Sequence, residues 1–301
     1  MSYISFPGLG IEPFHIDKVA FSVLGRDVAW YGIIITVGMI IAIAVAFRLA
    51  KIEKISADDL IDLALYAIIF GVIGARLYYV IFSWNEFDYL VTSGSFFYNL
   101  WHSFVNIIAI WEGGLAIYGG VIGGLIVGLI FAKVKKVHFL KVFDILAPCV
   151  MIGQIIGRWG NFVNMEAHGC ETTLPWRMGL LFGNAQTGEW LAEQYVHPTF
   201  FYESVWNLIG LIIILSLYKK KKANGQIFAM YFAWYGFGRM FIEGLRTDSL
   251  MLTENIRVSQ LVGLVTCVIG ILLLIFLPKF KSARVDTEAA SDTQNEPCEE
   301  K

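Results

Sequence analysis

The chain has 301 residues, 57% of them hydrophobic and 16% charged, with a formal net charge of -2 and a mean hydropathy of +0.63. Soluble domains contain about 45–50% apolar and about 25% charged residues, so this composition excludes an ordinary soluble domain and a disordered chain. It also excludes a nucleic-acid binder, because no basic patch stands out. The four cysteines (Cys149, Cys170, Cys267, Cys298) lie in separate segments, which gives neither a disulfide framework nor a C-x-x-C metal spacing.

In chain order, residues 1–27 carry Pro7, Glu12, Pro13, Asp17, Arg26 and Asp27, unlike a cleaved signal. They read as an extracytoplasmic arm. Three stretches free of charge follow at Val28–Phe47, Gly113–Ala132 and Val258–Leu277, each long enough for a hydrocarbon core of about 30 Å. Four further apolar stretches carry internal charges: Asp62–Phe82 with Arg76, Val142–Gly160 with Asp144 and Arg158, Thr199–Tyr218 with Glu203, and Gly225–Glu243 with Arg239. The expectation is an all-α polytopic membrane protein of seven transmembrane helices, with residues 28–278 as one membrane domain.

Between these spans, Ser83–Glu112 is rich in aromatics (Trp84, Phe87, Tyr89, Trp101, Trp111) and lacks Lys and Arg, which suits a segment lying along the membrane interface. Asn161–Pro198 is the largest polar insertion and is expected to form a small head. Residues 279–301 turn acidic and poor in apolar residues, so a disordered tail is predicted there. Glu112 and Asp144 read as ordinary boundary charges.

Lys and Arg set the orientation. Arg48, Lys51 and Lys54 follow the first stretch; Lys133, Lys135, Lys136 and Lys141 separate the third from the fourth; Lys219–Lys222 separate the fifth from the sixth; Lys279, Lys281, Arg284 and Lys301 follow the last. The opposite loops hold only Lys18, Arg26, Arg177, Arg246 and Arg257. The N-terminus is therefore expected outside and the C-terminus in the cytoplasm.

An ionisable residue within a span costs at least about 2.5–3.5 kcal/mol and marks function by default. At about 1.5 Å per helical residue, Arg76, Arg158, Arg239 and Glu243 fall in the outer third of the membrane. Tyr31, Tyr118 and Glu203 reach the same level from the outer ends of their own spans. Arginines partly balanced by carboxylates at headgroup depth suit an anionic phospholipid headgroup. A secondary transporter of an anionic amphiphile is the competing expectation, but it calls for broken helices and polar groups at the midplane.

The most specific string is Gly157-Arg-Trp-Gly-Asn-Phe-Val-Asn-Met-Glu-Ala-His-Gly169. In it Arg158 offers a bidentate anion fork, Asn161 and Asn164 offer neutral donors and acceptors, and Glu166 can act as a base or hold the arginine. This string resembles the signature of the prolipoprotein diacylglyceryl transferases. The resemblance extends to Ala29-Trp-Tyr31-Gly32, Trp111-Glu-Gly-Gly-Leu-Ala-Ile-Tyr118-Gly-Gly120, His197-Pro-Thr-Phe-Phe-Tyr202-Glu203 and Tyr235-Gly-Phe-Gly-Arg239-Met-Phe-Ile-Glu243, which covers nearly the whole chain.

The resemblance implies transfer of the diacylglyceryl group of phosphatidylglycerol to the lipobox cysteine of a prolipoprotein signal peptide. A thioether forms and glycerol phosphate leaves, at the outer face of the bacterial plasma membrane, without a metal or cofactor. Carried over by position, Arg158 holds the phosphate, and Asn161, Glu166 and Gly169 shape the headgroup site. Tyr31 and Tyr235 complete the pocket together with Arg239 and Glu243. The pattern departs at Tyr118, where the family has a histidine. A phenol with a reference pKa of about 10 is a poor base at pH 7, so either Tyr118 only orients the headgroup or the thiol proton leaves elsewhere. His197 is the alternative base, and a structural capping group is its other reading. The transfer needs cations around a leaving phosphomonoester rather than a nucleophilic side chain, and no serine elbow or Cys–His arrangement is present.

Overall fold

The structure, a computed structural model, describes residues 2–87, 96–110, 113–183, 190–247 and 257–280. Four short strands come first: β1 (Ser2–Phe6), β2 (Ile11–His15), β3 (Val19–Val23) and β4 (Arg26–Ala29). Helices α1 (Trp30–Ile52), α2 (Ala57–Phe82), α3 (Phe96–Ile108), α4 (Ile117–Val134) and α5 (Phe139–Asn164) follow. Strands β5 (Met178–Gly183) and β6 (Trp190–Val196) precede α6 (Thr199–Leu217), α7 (Gln226–Ile242) and α8 (Val258–Phe276).

Among the described residues, six helices are long and apolar enough to cross a membrane: α1, α2, α4, α5, α6 with its C-terminal turn, and α8 with its C-terminal turn. This is a multi-pass membrane protein. The stretch expected at Gly225–Glu243 is helix α7, which has 17 residues and is not among the six. It starts after Gly225, whose φ of 86° breaks the preceding chain, and ends in a 3-10 turn at Glu243–Leu245. The aromatic segment contributes the 13-residue α3, about 20 Å long and too short to span. Residues 88–95, Trp111 and Glu112 lie outside the described residues, as does the acidic tail beyond residue 280.

The chain divides into two compact units, Met1–Ala46 with Phe143–Lys301, and Phe47–Val142. In the first, α7 packs on α8 where both are small: a Cβ on Gly236 would overlap the Gly263 carbonyl, and one on Gly270 would overlap the backbone of Ala233. Such close approach is the usual basis of helix association in lipid. Helices α6 and α7 are joined by stacked Trp206 and Trp234, with centroids 4.4 Å apart. Each indole N–H donates to the other's carbonyl, at 3.0 and 2.9 Å. Ser204 on α6 donates to the Ile155 carbonyl of α5 at 3.0 Å, so α5, α6 and α7 form one packed group.

Asp144 corrects the boundary-charge expectation, because it is fully buried. Its carboxylate accepts from Lys221 Nζ at 2.8 Å and from the backbone N–H groups of Gly225 (2.8 Å) and Phe228 (3.0 Å). It thereby caps the N-terminus of α7, where orphan N–H groups and the helix dipole favour an anion.

Strands supplement the helices outside the spans. The N-terminal arm and the insertion form one antiparallel sheet of order β2-β1-β5-β6, with Ile4 opposite both Phe14 and Leu180. Its inner face buries Ile4, Met178, Leu180 and Val196 on Phe200, with Phe162 and Met165 packed alongside. That core anchors the C-terminal end of α5 and the first turn of α6. Strands β3 and β4 form a separate hairpin leading directly into α1, which is why α1 starts at Trp30 rather than Val28.

In the second unit, Ser56 caps α2 by accepting from the Asp59 N–H at 3.1 Å, with Asp58 and Asp59 in the favoured first turn. Helices α2 and α4 cross tightly, since a Cβ on Gly119 would overlap the Gly74 carbonyl and one on Gly123 the Phe70 carbonyl.

Candidate functional site

Helices α5, α6 and α7 bring three expected residues, Arg158, Arg239 and Glu243, together around a fourth, Glu203, that the sequence reading left out of the pocket. Glu203, on the second turn of α6, accepts from Arg158 Nη2 at 2.7 Å and pairs with Arg239 Nη1 at 3.1 Å. Arg239 Nη2 also pairs with Glu243 at 2.7 Å, one helical turn away. Arg246 Nε lies 4.0 Å from the same carboxylate. Glu203 and Glu243 are only 3% and 2% exposed at the side chain, whereas Arg158 and Arg239 keep 18% and 15%. Three guanidinium groups thus surround two carboxylates that are more deeply buried than Arg158 and Arg239. Glu203 ends the His197–Glu203 motif and lies at the level of the arginines, so both signals for it were present in the sequence.

The signature string continues this network. Arg158 Nη1 donates to Asn161 Oδ1 at 3.0 Å. Asn161 Nδ2 then donates to Glu166 Oε1 at 2.8 Å, and Asn164 Nδ2 reaches the same oxygen at 3.3 Å. The chain turns sharply after α5, with Met165 and Ala167 at φ of 55° and 57°, a region costly for residues with a Cβ. Surrounding bonds hold the turn in place: Thr199 Oγ1 donates to the Ala167 carbonyl at 2.6 Å, and the Gly169 N–H donates to the His197 carbonyl at 3.0 Å. Gly169 also bridges Arg246. A Cβ at Gly169 would press on His197 and Thr199, so glycine is needed for this close approach. Gly169 thus shapes the site through its backbone.

Tyr31 packs on α5, its ring lying where a Cβ on Gly160 would sit. Tyr235 is one turn before Arg239 on α7 and stacks on Tyr231 with centroids 5.6 Å apart. Tyr231 accepts from Gln154 Nε2 at 3.0 Å.

His197 stands at the junction of β6 and α6. Its Nδ1 is 3.3 Å from the Tyr202 hydroxyl, which accepts from Trp176 Nε1 at 2.6 Å. Burial pushes the His197 imidazole below its usual pKa, because desolvation penalises the charged form. His197 is therefore neutral at pH 7 and able to accept a proton. Tyr118 belongs to the second unit, in the first turn of α4. It is half exposed and rests against Tyr78, with centroids 6.1 Å apart.

Arg76 is the expected headgroup-level arginine that the structure uses otherwise. Its guanidinium is spent on backbone carbonyls of its own unit: Nε to Ile107 (2.9 Å), Nη2 to Asn106 (2.7 Å), and Nη1 to Gly113 (2.7 Å) and Gly114 (3.0 Å).

Comparison with known proteins shows the family of the chain. Residues 18–276 match the family described as prolipoprotein diacylglyceryl transferase. The chain is similar to proteins named phosphatidylglycerol–prolipoprotein diacylglyceryl transferase from Staphylococcus aureus strains MSSA476, MW2 and Newman. Each is 44% identical over 269 residues, covering 89% of this chain and 91% of the relative. With the matched region containing the arginine network, its signature turn and both tyrosine motifs, the chain belongs to the prolipoprotein diacylglyceryl transferase family.

Proposed function

We propose that this chain transfers the diacylglyceryl group of phosphatidylglycerol to the lipobox cysteine thiol of a prolipoprotein signal peptide, the first step of bacterial lipoprotein maturation. The observation that carries the reading is the Glu203-centred network, which places Arg158 and Arg239 side by side with partly exposed guanidinium groups. The peptide sulfur attacks the glycerol carbon bearing the phosphate ester, the sulfur–carbon bond forms, and the carbon–oxygen bond to phosphate breaks. Glycerol phosphate leaves as a monoester whose growing negative charge Arg158 and Arg239 stabilise. Glu203 and Glu243 hold the two guanidinium groups in register, Asn161 and Glu166 set the fork of Arg158, and Tyr31, Tyr235 and Gly169 shape the headgroup space. The thiol proton passes to neutral His197, and Tyr118 orients the headgroup through its hydroxyl.

In this reading seven helices cross the plasma membrane with the N-terminus outside and the site toward the outer face. Residues 1–27 are an extracytoplasmic arm, residues 28–278 the catalytic domain with residues 161–198 as a head, and residues 279–301 a cytoplasmic tail. The Lys and Arg alternation and the sheet that joins the arm to the head support this arrangement. An anionic-amphiphile transporter is less well supported, because the family relatives are named as transferases.

Purified chain incubated with phosphatidylglycerol and a lipobox peptide should yield peptide heavier by one diacylglyceryl group, and unchanged peptide mass would overturn the reading. Cysteines placed in Asn161–Pro198 should react with an impermeant thiol reagent outside intact cells, while cysteines beside Lys219–Lys222 stay protected. The reverse labelling would invert the orientation.

A further inference from the structure

Arg76 is 8% exposed within a helix long and apolar enough to span a membrane, and a guanidinium there must be satisfied internally. Four of its five N–H donors meet neutral backbone carbonyls. Two of those carbonyls, Asn106 and Ile107, belong to the last turn of α3, where orphan acceptors and the negative dipole end favour a cation. The other two belong to Gly113 and Gly114, both at positive φ (94° and 69°), on the turn that leads into α4. The rings of Tyr79 and Phe87 stand 5.6 and 5.5 Å from the guanidinium carbon. With four of five donors engaged, Arg76 is a staple between α2, α3 and the start of α4.

What the staple holds is specific. The Ala116 N–H donates to the carbonyl of Ala75, the neighbour of Arg76, at 3.1 Å. Tyr118 comes two residues later and rests on Tyr78, two residues beyond Arg76. The glycine crossing at Gly74 and Gly119 fixes the same turn. The place of the Tyr118 hydroxyl therefore depends on the path taken by Gly113–Ala116, and that path is set by the Arg76 fork.

We propose that Arg76 is a positioning residue: it binds no lipid, and acts on turnover by fixing the turn that places Tyr118. The inference rests on the reading of Tyr118 as an orienting group. A lysine keeps the charge but has no planar fork to span four carbonyls.

The test is a double-mutant cycle on the purified full chain with phosphatidylglycerol micelles and lipobox peptide. Arg76→Lys should lower kcat by up to about tenfold, no more than the loss of the Tyr118 hydroxyl itself, with KM for phosphatidylglycerol little changed. Gly114→Ala, which crowds Arg76 Nη1 and Tyr79 while keeping the arginine, should do the same. Combined with Tyr118→Phe, neither should slow turnover beyond the slower single variant, as expected for groups acting through one another. Multiplying effects, or a raised KM at constant kcat, would overturn the proposal. A measurement free of activity separates the two readings: Tyr118→Cys, in a chain otherwise without cysteine, is alkylated with a maleimide. Its alkylation rate should change severalfold when Arg76→Lys is added, and an unchanged rate sinks the positioning role. Should Tyr118→Phe alone keep the wild-type rate, the orienting role of Tyr118 falls and the alkylation result decides for Arg76.

Discussion

Arg158 and Arg76 both read from the sequence as arginines at headgroup depth, yet their surroundings separate them completely. Arg158 spends two donors, one on Asn161 and one on Glu203, while its remaining N–H groups make no hydrogen bond among the described residues. Arg76 spends four, all on backbone carbonyls. Carboxylate and amide partners hold a guanidinium at one edge and leave a fork for an incoming anion. A ring of helix-end and turn carbonyls uses up the fork and turns the same residue into architecture. The expected charge and depth are shared; what separates the two arginines is how many donors the fold has consumed.

The comparison breaks most visibly at the buried carboxylates. Glu203→Gln and Asp144→Asn each remove a buried charge from an ion pair, a change that destabilises by about 3–5 kcal/mol, read as a lowered melting temperature in detergent. The two should then part company. Glu203→Gln should also slow turnover, because Arg158 and Arg239 lose their common partner, whereas Asp144→Asn should keep kcat once the folded fraction is allowed for. Equal kcat losses would mean that the network has no special part in turnover.

Next in size is the fork itself. Arg158→Lys should reduce turnover by about a hundredfold, the scale of one lost transition-state donor. Near-normal rates of lipidated peptide formation would reduce Arg158 to a second structural arginine. Tyr118→Phe should act more gently, lowering the rate by about tenfold, the scale of one hydrogen bond of roughly 1–1.5 kcal/mol. The pH profile should stay in place, since the proposed part of the hydroxyl is a hydrogen bond and not a proton transfer. Loss of activity at pH 7 with rescue at high pH would make Tyr118 the base.

The smallest expected effect is a pH displacement. In the proposed role as base His197 must be neutral to take the thiol proton, and burial lowers its pKa. Its neutral fraction therefore holds as pH falls through the usual histidine value of about 6.5 and drops only at more acid pH. The acid limb of kcat/KM should lie below that value, and His197→Gln should abolish the limb. A limb that survives the substitution assigns the proton to another group.

Much of this was legible in the sequence because its causes are local. Charge-free apolar runs of about twenty residues follow from neighbours along the chain, and helices were found at all seven expected stretches. The link between Arg158, Asn161 and Glu166 was legible for the same reason, since all three belong to one short segment from Gly157 to Gly169. The sheet was not legible. Strand β1 pairs with β5 across more than 170 residues of chain, and strand pairing depends on partners distant in sequence rather than on local pattern. The hub role of Glu203, the cap made by Asp144 and the occupation of Arg76 were decided in the same way. A residue's charge and depth are properties of its own segment, but the donors and acceptors that meet it are delivered by other helices, and only their packing determines which charges stay available for a substrate.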